Sequence, residues 1–276
     1  PGPPTRGARL MCRHLAYLGA PVTVADVLLA PQHSLLEQTW APADMRGSGT
    51  VNADGYGFGW YDGHGDALRY RRVVPMWADG SLPDLARSIS TTSLVAAARN
   101  GTTGMPVTES ACAPFRHGRW LFSHNGVVAG WPASVEGLAE SLPAIDLMRL
   151  EAPTDSALLW ALALRQLLDG TAVEEVVERL TTEVAHAAPG SRLNLLLSDG
   201  ETVAASAWGH SLSVLEGPDH VLVSSEPFGA TTEGWQPVPD QTLVVLTADD
   251  TKMRPLAGPP PLRADHDAIV KGQPHP

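Results

Sequence analysis

The chain has two cysteines, and one of them, Cys12, directly follows a methionine in "RLMCRHLAYLGA" (9–20). With Met11 and everything before it removed, the α-amino group of Cys12 lies within reach of its own thiol. An α-amine has a pKa of about 7.7–8.0 and a free thiol about 8.5, so the amine can take the thiol proton near neutral pH. Nucleophile and base then come from one residue, with no separate histidine. A lone cysteine in a strand also has a plainer reading, as a small buried apolar side chain. Three short polar clusters accompany Cys12: "AARNGTTG" (97–104), "LFSHNGVV" (121–128) and "PTDSALLW" (153–160).

Other chemistries find no support. "GYGFGW" (55–60) has glycines at spacing two but opens no helix, which argues against a dinucleotide site. There is no Gly-Lys-Ser/Thr phosphate loop. The ten histidines are scattered, without H-E-x-x-H or a Cys pair at ligand spacing. Neither a metal nor a cofactor is expected. The net charge of −11 argues against nucleic acid, since a phosphate backbone calls for a basic footprint. No run of about 18 apolar residues exists to span a membrane, and two cysteines make no disulfide framework, which suits a reducing cytosol. Small molecules or other proteins remain as partners.

Taken together, Cys12-Arg13, "VNADGYGFGWY" (51–61), "AARNGTTG", "PFRHGRWLFSHNG" (114–126) and "PTDSA" (153–157) resemble the class II glutamine amidotransferases, which are N-terminal-nucleophile hydrolases. The resemblance runs from Cys12 to about Thr251. It implies a fold: α+β, a four-layer αββα sandwich of two mainly antiparallel sheets between helix layers. It also implies roles. Cys12 matches the nucleophile that attacks a γ-amide carbon. The side-chain amide of Asn125 and the backbone N–H of Gly126 match the oxyanion-hole pair. Arg99 matches the clamp on a glutamyl α-carboxylate, and Asp155 the receptor of its α-ammonium. Singly, Arg99 also reads as a strand-end charge, Asp155 as a helix cap, and Asn125-Gly126 as a type I′ hairpin turn. Jointly they make the cation, anion, donor pair and nucleophile that a zwitterionic γ-glutamyl group requires.

The domain consumes the chain, so the expectation divides between a stand-alone hydrolase, a glutaminase subunit passing ammonia to a partner, and a non-enzymatic γ-glutamyl-binding protein with this fold. "CRHLAYLG", "NADGYGFGWY" and "VSSEPF" (223–228) resemble a stand-alone subgroup that removes glutamate from a γ-glutamyl cysteine conjugate of ergothioneine biosynthesis, whose leaving group carries a trimethylated histidine. Such a group cannot donate hydrogen bonds, and aromatic faces and carboxylates are its natural receptors. Trp40 or Trp60, with Asp44 or Asp54, is therefore expected on the leaving-group side, while Trp77 lies among the same loops. His14, His117 and His124 are expected to be structural, and Cys112 is assigned nothing. Homo-oligomerisation is left open.

These residues need a scaffold. The 276 residues can bury a sizeable core. Pro- and Gly-rich residues 1–11 read as a leader or a start placed too early, and 256–276 as a disordered tail. A single domain is expected over 12–255. Strands are expected at 13–19, 56–62, 68–74, 92–99, 119–126, 193–199, 202–208, 211–217, 220–226 and 242–248. Helices are expected at 24–31, 82–89, 155–170 and 172–188, the last with apolar residues at 173, 176, 177, 180 and 184. Strands in runs with paired helices between them imply packed sheets plus helix layers, not a doubly wound sheet.

Overall fold

The computed structural model describes residues 12–44, 51–101 and 104–257. Strand β1 (Arg13–Thr23) leads into the short helices α1 (Val24–Leu28) and α2 (Leu35–Gln38). Thr23 and Ser34 cap them, each hydroxyl accepting from a first-turn N–H. The hairpin β2 (Tyr56–Tyr61) and β3 (Ala67–Arg72), helix α3 (Leu82–Ser88) and strand β4 (Ser90–Ala98) come next. Strands β5 (Phe115–His117) and β6 (Trp120–Val127) precede four helices: α4 (Glu136–Ala139), α5 (Ala144–Met148), α6 (Asp155–Leu168) and α7 (Val173–Ala187). The chain then runs through β7 (Arg192–Ser198), β8 (Thr202–Ala207), β9 (Ser213–Glu216), β10 (His220–Ser224), β11 (Trp235–Pro237), β12 (Thr242–Thr247) and β13 (Thr251–Pro255).

The strands form two antiparallel sheets, ordered β11-β9-β10-β1-β4-β2-β3 and β13-β12-β8-β7-β6-β5. Strand alternation sorts their side chains into three apolar layers. On β1, Leu15 and Tyr17 face α1–α3, whereas Ala16 and Leu18 face the second sheet. The space between sheets is filled by Ala, Val and Leu, including Val95, Leu196, Ala205 and Val223. Beyond the second sheet, Leu193, Leu195 and Leu197 of β7 pack against the valines of α7 and the leucines of α6. Helix, sheet, sheet, helix is the layer order, as the α+β sandwich expectation has it. Among the described residues no helix is long and apolar enough to cross a membrane.

All ten expected strands and four expected helices are present, with ends shifted by a few residues. The elements without a sequence signal are short: β5 and β11 have 3 residues each, and α2, α4 and α5 have 4 or 5. A helix of one turn shows no period. Edge strand β13 is mostly exposed and so lacks alternation. The leader expected over 1–11 and residues 258–276 of the expected tail lie outside the described residues. Leu256, placed in that tail, is buried in the helix-side core, and its N–H donates to the Gln241 carbonyl.

Phe122 is fully buried and stacks on Trp160 of α6 with ring centroids 5.6 Å apart. Phe122→Ala should lower the unfolding free energy by about 3–5 kcal/mol, read by urea denaturation, because the packed layers leave a cavity.

Candidate active site

Four of the expected site residues meet. Cys12, Arg99, Gly126 and Asp155 line one small cavity at the edge of the sandwich, together with His124 and Ser156. Different elements deliver each of them. Cys12 immediately precedes β1, Arg99 follows β4, Gly126 lies in β6, and Asp155 is the first residue of α6. Register explains the first two: Arg13 on β1 stands opposite Ala98 on β4, so the residues just outside both strands are neighbours.

The thiol is partly buried, and its Sγ donates to the Asn100 carbonyl at 3.6 Å. Burial raises the Cys12 pKa above its ordinary value, and Asp155 adds to this while Arg99 and Arg13 oppose it. Nearby histidines are engaged elsewhere. His14 lies between the sheets with Nδ1 3.2 Å from Ser123 Oγ, and burial pushes its pKa down to about 3. His124 has Nε2 3.0 Å from the Arg192 carbonyl and Nδ1 3.0 Å from Ser156 Oγ. A carbonyl only accepts, so Nε2 carries a proton, while Ser156 Oγ also lies 3.3 Å from Asp155 Oδ1, to which it donates. His117 stacks on Trp120, away from the thiol.

Arg99 is held by a backbone ladder: its N–H donates to the Gly55 carbonyl at 2.8 Å, and its carbonyl accepts from Asp54 N–H at 3.1 Å. Gly55 sits at φ +118, and a Cβ there would meet Cys112 Sγ at 2.4 Å. Asp54 Oδ2 accepts from Gly101 N–H at 2.7 Å, which commits that carboxylate to the Arg99 loop. The guanidinium ends free: Arg99 Nη1 is buried with no hydrogen-bond partner. Asp155 is buried too, with Oδ2 accepting from Val128 N–H (3.0 Å) and Oδ1 from Ser156 N–H (2.7 Å). Helix capping falls to Thr154, whose hydroxyl accepts from Ala157 N–H.

Asn125 and Gly126 lie inside β6, paired with Asn194 and Leu193 of β7, so they are not a hairpin turn. Alternation turns His124 toward α6 and Asn125 toward the first sheet. There Asn125 Nδ2 donates to Ser225 Oγ at 3.0 Å. A Cβ on Gly126 would stand 1.9 Å from the Arg192 carbonyl, so only glycine lets the two strands close.

Sequence reasoning left two features unassigned. Arg13 pairs with Glu226, both about 2% exposed. Arg13 Nη1 also donates to the Cys12 carbonyl (3.0 Å) and Nη2 to the Asp44 carbonyl (2.7 Å). Glu226 further accepts from the N–H groups of Ala43 and Asp44. Its signal was the Ser-Ser-Glu-Pro run, quoted but given no role. The other feature is the His124–Ser156 contact, carried by residues adjoining two motifs.

The tryptophans stand apart. Trp60 pairs with Leu94, four residues along β2 from Tyr56, or about 13 Å at 3.3 Å per residue. Its ring packs on Phe58 in the layer facing α1–α3. Trp40 is exposed and meets Trp77 edge-on at 5.8 Å.

The class is defined by a helix–sheet–sheet–helix sandwich of two antiparallel sheets, with Cys12 at the head of the first strand. The chain belongs to the class II glutamine amidotransferases, whose family description matches residues 35–231. It is 39% identical over 246 residues to the gamma-glutamyl-hercynylcysteine sulfoxide hydrolase of Mycolicibacterium smegmatis, covering 89% of this chain and 100% of that protein. The Mycobacterium tuberculosis protein of the same name is 38% identical over 237 residues, with 86% and 93% covered. A solved glutamine aminotransferase class-II domain protein from Silicibacter pomeroyi has the same fold, with TM-score 0.63 and 24% identity over 89% of this chain and 100% of that one.

Two measurements check the electrostatics. Burial holds both His14 and His210 at about 3, well below the ordinary 6.5. The unfolded chain therefore binds protons that the folded chain refuses, and stability falls as pH drops from about 6.5 toward 3. The urea midpoint should already decline between about pH 7 and pH 5, before most carboxylates titrate; a flat midpoint contradicts neutral burial. Glu226→Gln strands the buried Arg13 charge and should cost about 3–5 kcal/mol by the same assay.

Proposed function

We propose that this chain hydrolyses the γ-glutamyl amide of a γ-glutamyl cysteine conjugate, γ-glutamyl-hercynylcysteine sulfoxide, through a thioester on Cys12. The observation that carries the reading is the buried, unpartnered Nη1 of Arg99 across one cavity from the Asp155 carboxylate and the thiol. A buried charged donor without a partner is costly, and a substrate α-carboxylate removes that cost. Asp155 then receives the α-ammonium, which leaves the γ-carbonyl as the part of the glutamyl group that faces sulfur.

The thiol has no histidine base, and its raised pKa makes a base necessary. The α-amino group of Cys12, freed when residues 1–11 are removed, fills that role. It takes the thiol proton as Sγ bonds to the γ-carbon, and the carbonyl oxygen becomes an oxyanion. Gly126 N–H and the second Nδ2 hydrogen of Asn125 stabilise that charge, each by roughly 10²–10³ in rate. The C–N bond breaks, the α-ammonium returns its proton to the leaving amine, and a γ-glutamyl thioester remains. Water, deprotonated by the same amine, adds to the thioester. Sulfur leaves and is reprotonated, and glutamate departs. The relatives named as hydrolases of this conjugate, over most of both chains, support the choice of substrate.

The test is protein cut so that Cys12 is its first residue, assayed on the conjugate and on glutamine. Cleavage of the conjugate is expected, with a transient mass increase of one γ-glutamyl group at Cys12. Acetylating the Cys12 amine should abolish turnover. Arg99→Lys should raise KM roughly ten- to hundredfold, the worth of a charged hydrogen bond of about 1.5–3 kcal/mol. Glutamine as the better substrate would instead indicate ammonia delivery to a partner, and full activity with residues 1–11 retained would refute the amine as base.

A further inference from the structure

Ser225, in the "VSSEPF" run, has no part in the chemistry above, yet it is buried just past the end of β10. The β1–β10 ladder closes with Leu15 opposite Ser224, which brings His14 and Ser225 together next. There a side chain continues the ladder. His14 N–H donates to Ser225 Oγ at 3.0 Å, and that hydroxyl donates to the His14 carbonyl at 3.2 Å. The Ser225 N–H donates to the same carbonyl at 3.0 Å. Since His14 is two residues from Cys12, Ser225 is fixed to the strand that carries the thiol.

A serine hydroxyl has one proton and two lone pairs. The proton goes to the His14 carbonyl and one lone pair takes His14 N–H. The other takes Asn125 Nδ2 at 3.0 Å, across the gap between the sheets. For Asn125 the count is different. Its Oδ1 is buried without a partner, so Ser225 is the single hydrogen-bond partner of that side chain among the described residues. Pairing with Asn194 fixes the Asn125 backbone, but the terminal torsion of an asparagine is broad and roughly twofold. One acceptor therefore decides where the Nδ2 hydrogens point.

Ser225 does not line the thiol cavity. It lines a larger one of about 410 Å³, bounded also by Glu226, which shares no lining residue with the first. Any effect of its hydroxyl on the reaction passes through Asn125 or through His14.

We propose that Ser225 is a positioning residue of the oxyanion site. It turns the Asn125 amide so that the second Nδ2 hydrogen meets the γ-carbonyl oxygen, and it ties that amide to the nucleophile's strand. This rests on the γ-glutamyl reading above. Arg99 and Asp155, assigned there to the α-carboxylate and α-ammonium, make no bond to Ser225, so loss of the hydroxyl falls on kcat and spares KM.

The experiment is a double-mutant cycle in protein with Cys12 as its first residue. Ser225→Ala should lower kcat about ten- to hundredfold, part of the roughly 10²–10³ supplied by one oxyanion donor, with KM within about twofold. Ser225→Thr, which keeps the hydroxyl, should restore most of the rate. In an Asn125→Ala background, Ser225→Ala should cost less than about twofold. An equal loss in both backgrounds overturns the proposal, because the hydroxyl would then act through His14 and the strand alone. Ser225→Cys, close in shape with a weaker acceptor, gives the same test should the alanine variant fail to fold. A second readout needs no turnover. The Asn125 side-chain NH₂ pair, identified in a nitrogen–proton correlation spectrum by its absence from Asn125→Ala, should shift in Ser225→Ala and hold its place in Ser225→Thr. An unmoved pair overturns the proposal. A moved pair in protein that cleaves no γ-glutamyl amide refutes the catalytic reading and leaves the pin on Asn125 standing.

Discussion

Arg13 and Glu226 meet where the first strand begins, the loop after α2 passes and the chain leaves β10. Both are shut from water, so neither can lose its partner cheaply. The guanidinium holds the Cys12 carbonyl on one side and the Asp44 carbonyl on the other. The carboxylate gathers His33, Ala43 and Asp44 on its two oxygens. Cys12, the loop at residues 43–44 and the wall of the larger cavity are thereby tied to a single charge pair. Directional bonds to a buried ion specify geometry where the loop sequence, with little apolar content, could not.

The β6 strand divides the labour between its two faces. His124 and Phe122 point toward α6, while Ser123 and Asn125 point into the gap between sheets. Gly126 lets β6 approach β7 closely enough for that division to hold. The three residues of the His-Asn-Gly run therefore do three different things. His124 braces α6 through Ser156, Asn125 meets the first sheet through Ser225, and Gly126 opens on the thiol cavity.

Charge is arranged with similar economy. Burial keeps His14 and His210 neutral, and Arg99 brings to the thiol cavity a guanidinium whose buried Nη1 has no hydrogen-bond partner. Burial also raises the thiol pKa of Cys12.

Much of this was legible in the chain. Alternation in 13–19 and 193–199, the valine spacing of α7, and the motifs at Cys12, Arg99, Asn125-Gly126 and Asp155 identified the layers and the four residues that line one cavity. These signals are local: period, capping and residue type act within a few positions. The role of Asp54 in bracing the Arg99 loop, the Arg13–Glu226 pair and the cavity beyond it could not be read that way. Each joins residues 47 to 213 positions apart, through strand register and through side chains that find partners only when two sheets close. Trp40 and Trp60 show the same limit from the other direction. The resemblance made them candidates for a cation, but the face of β2 on which Trp60 stands was decided by which layer it had to pack against.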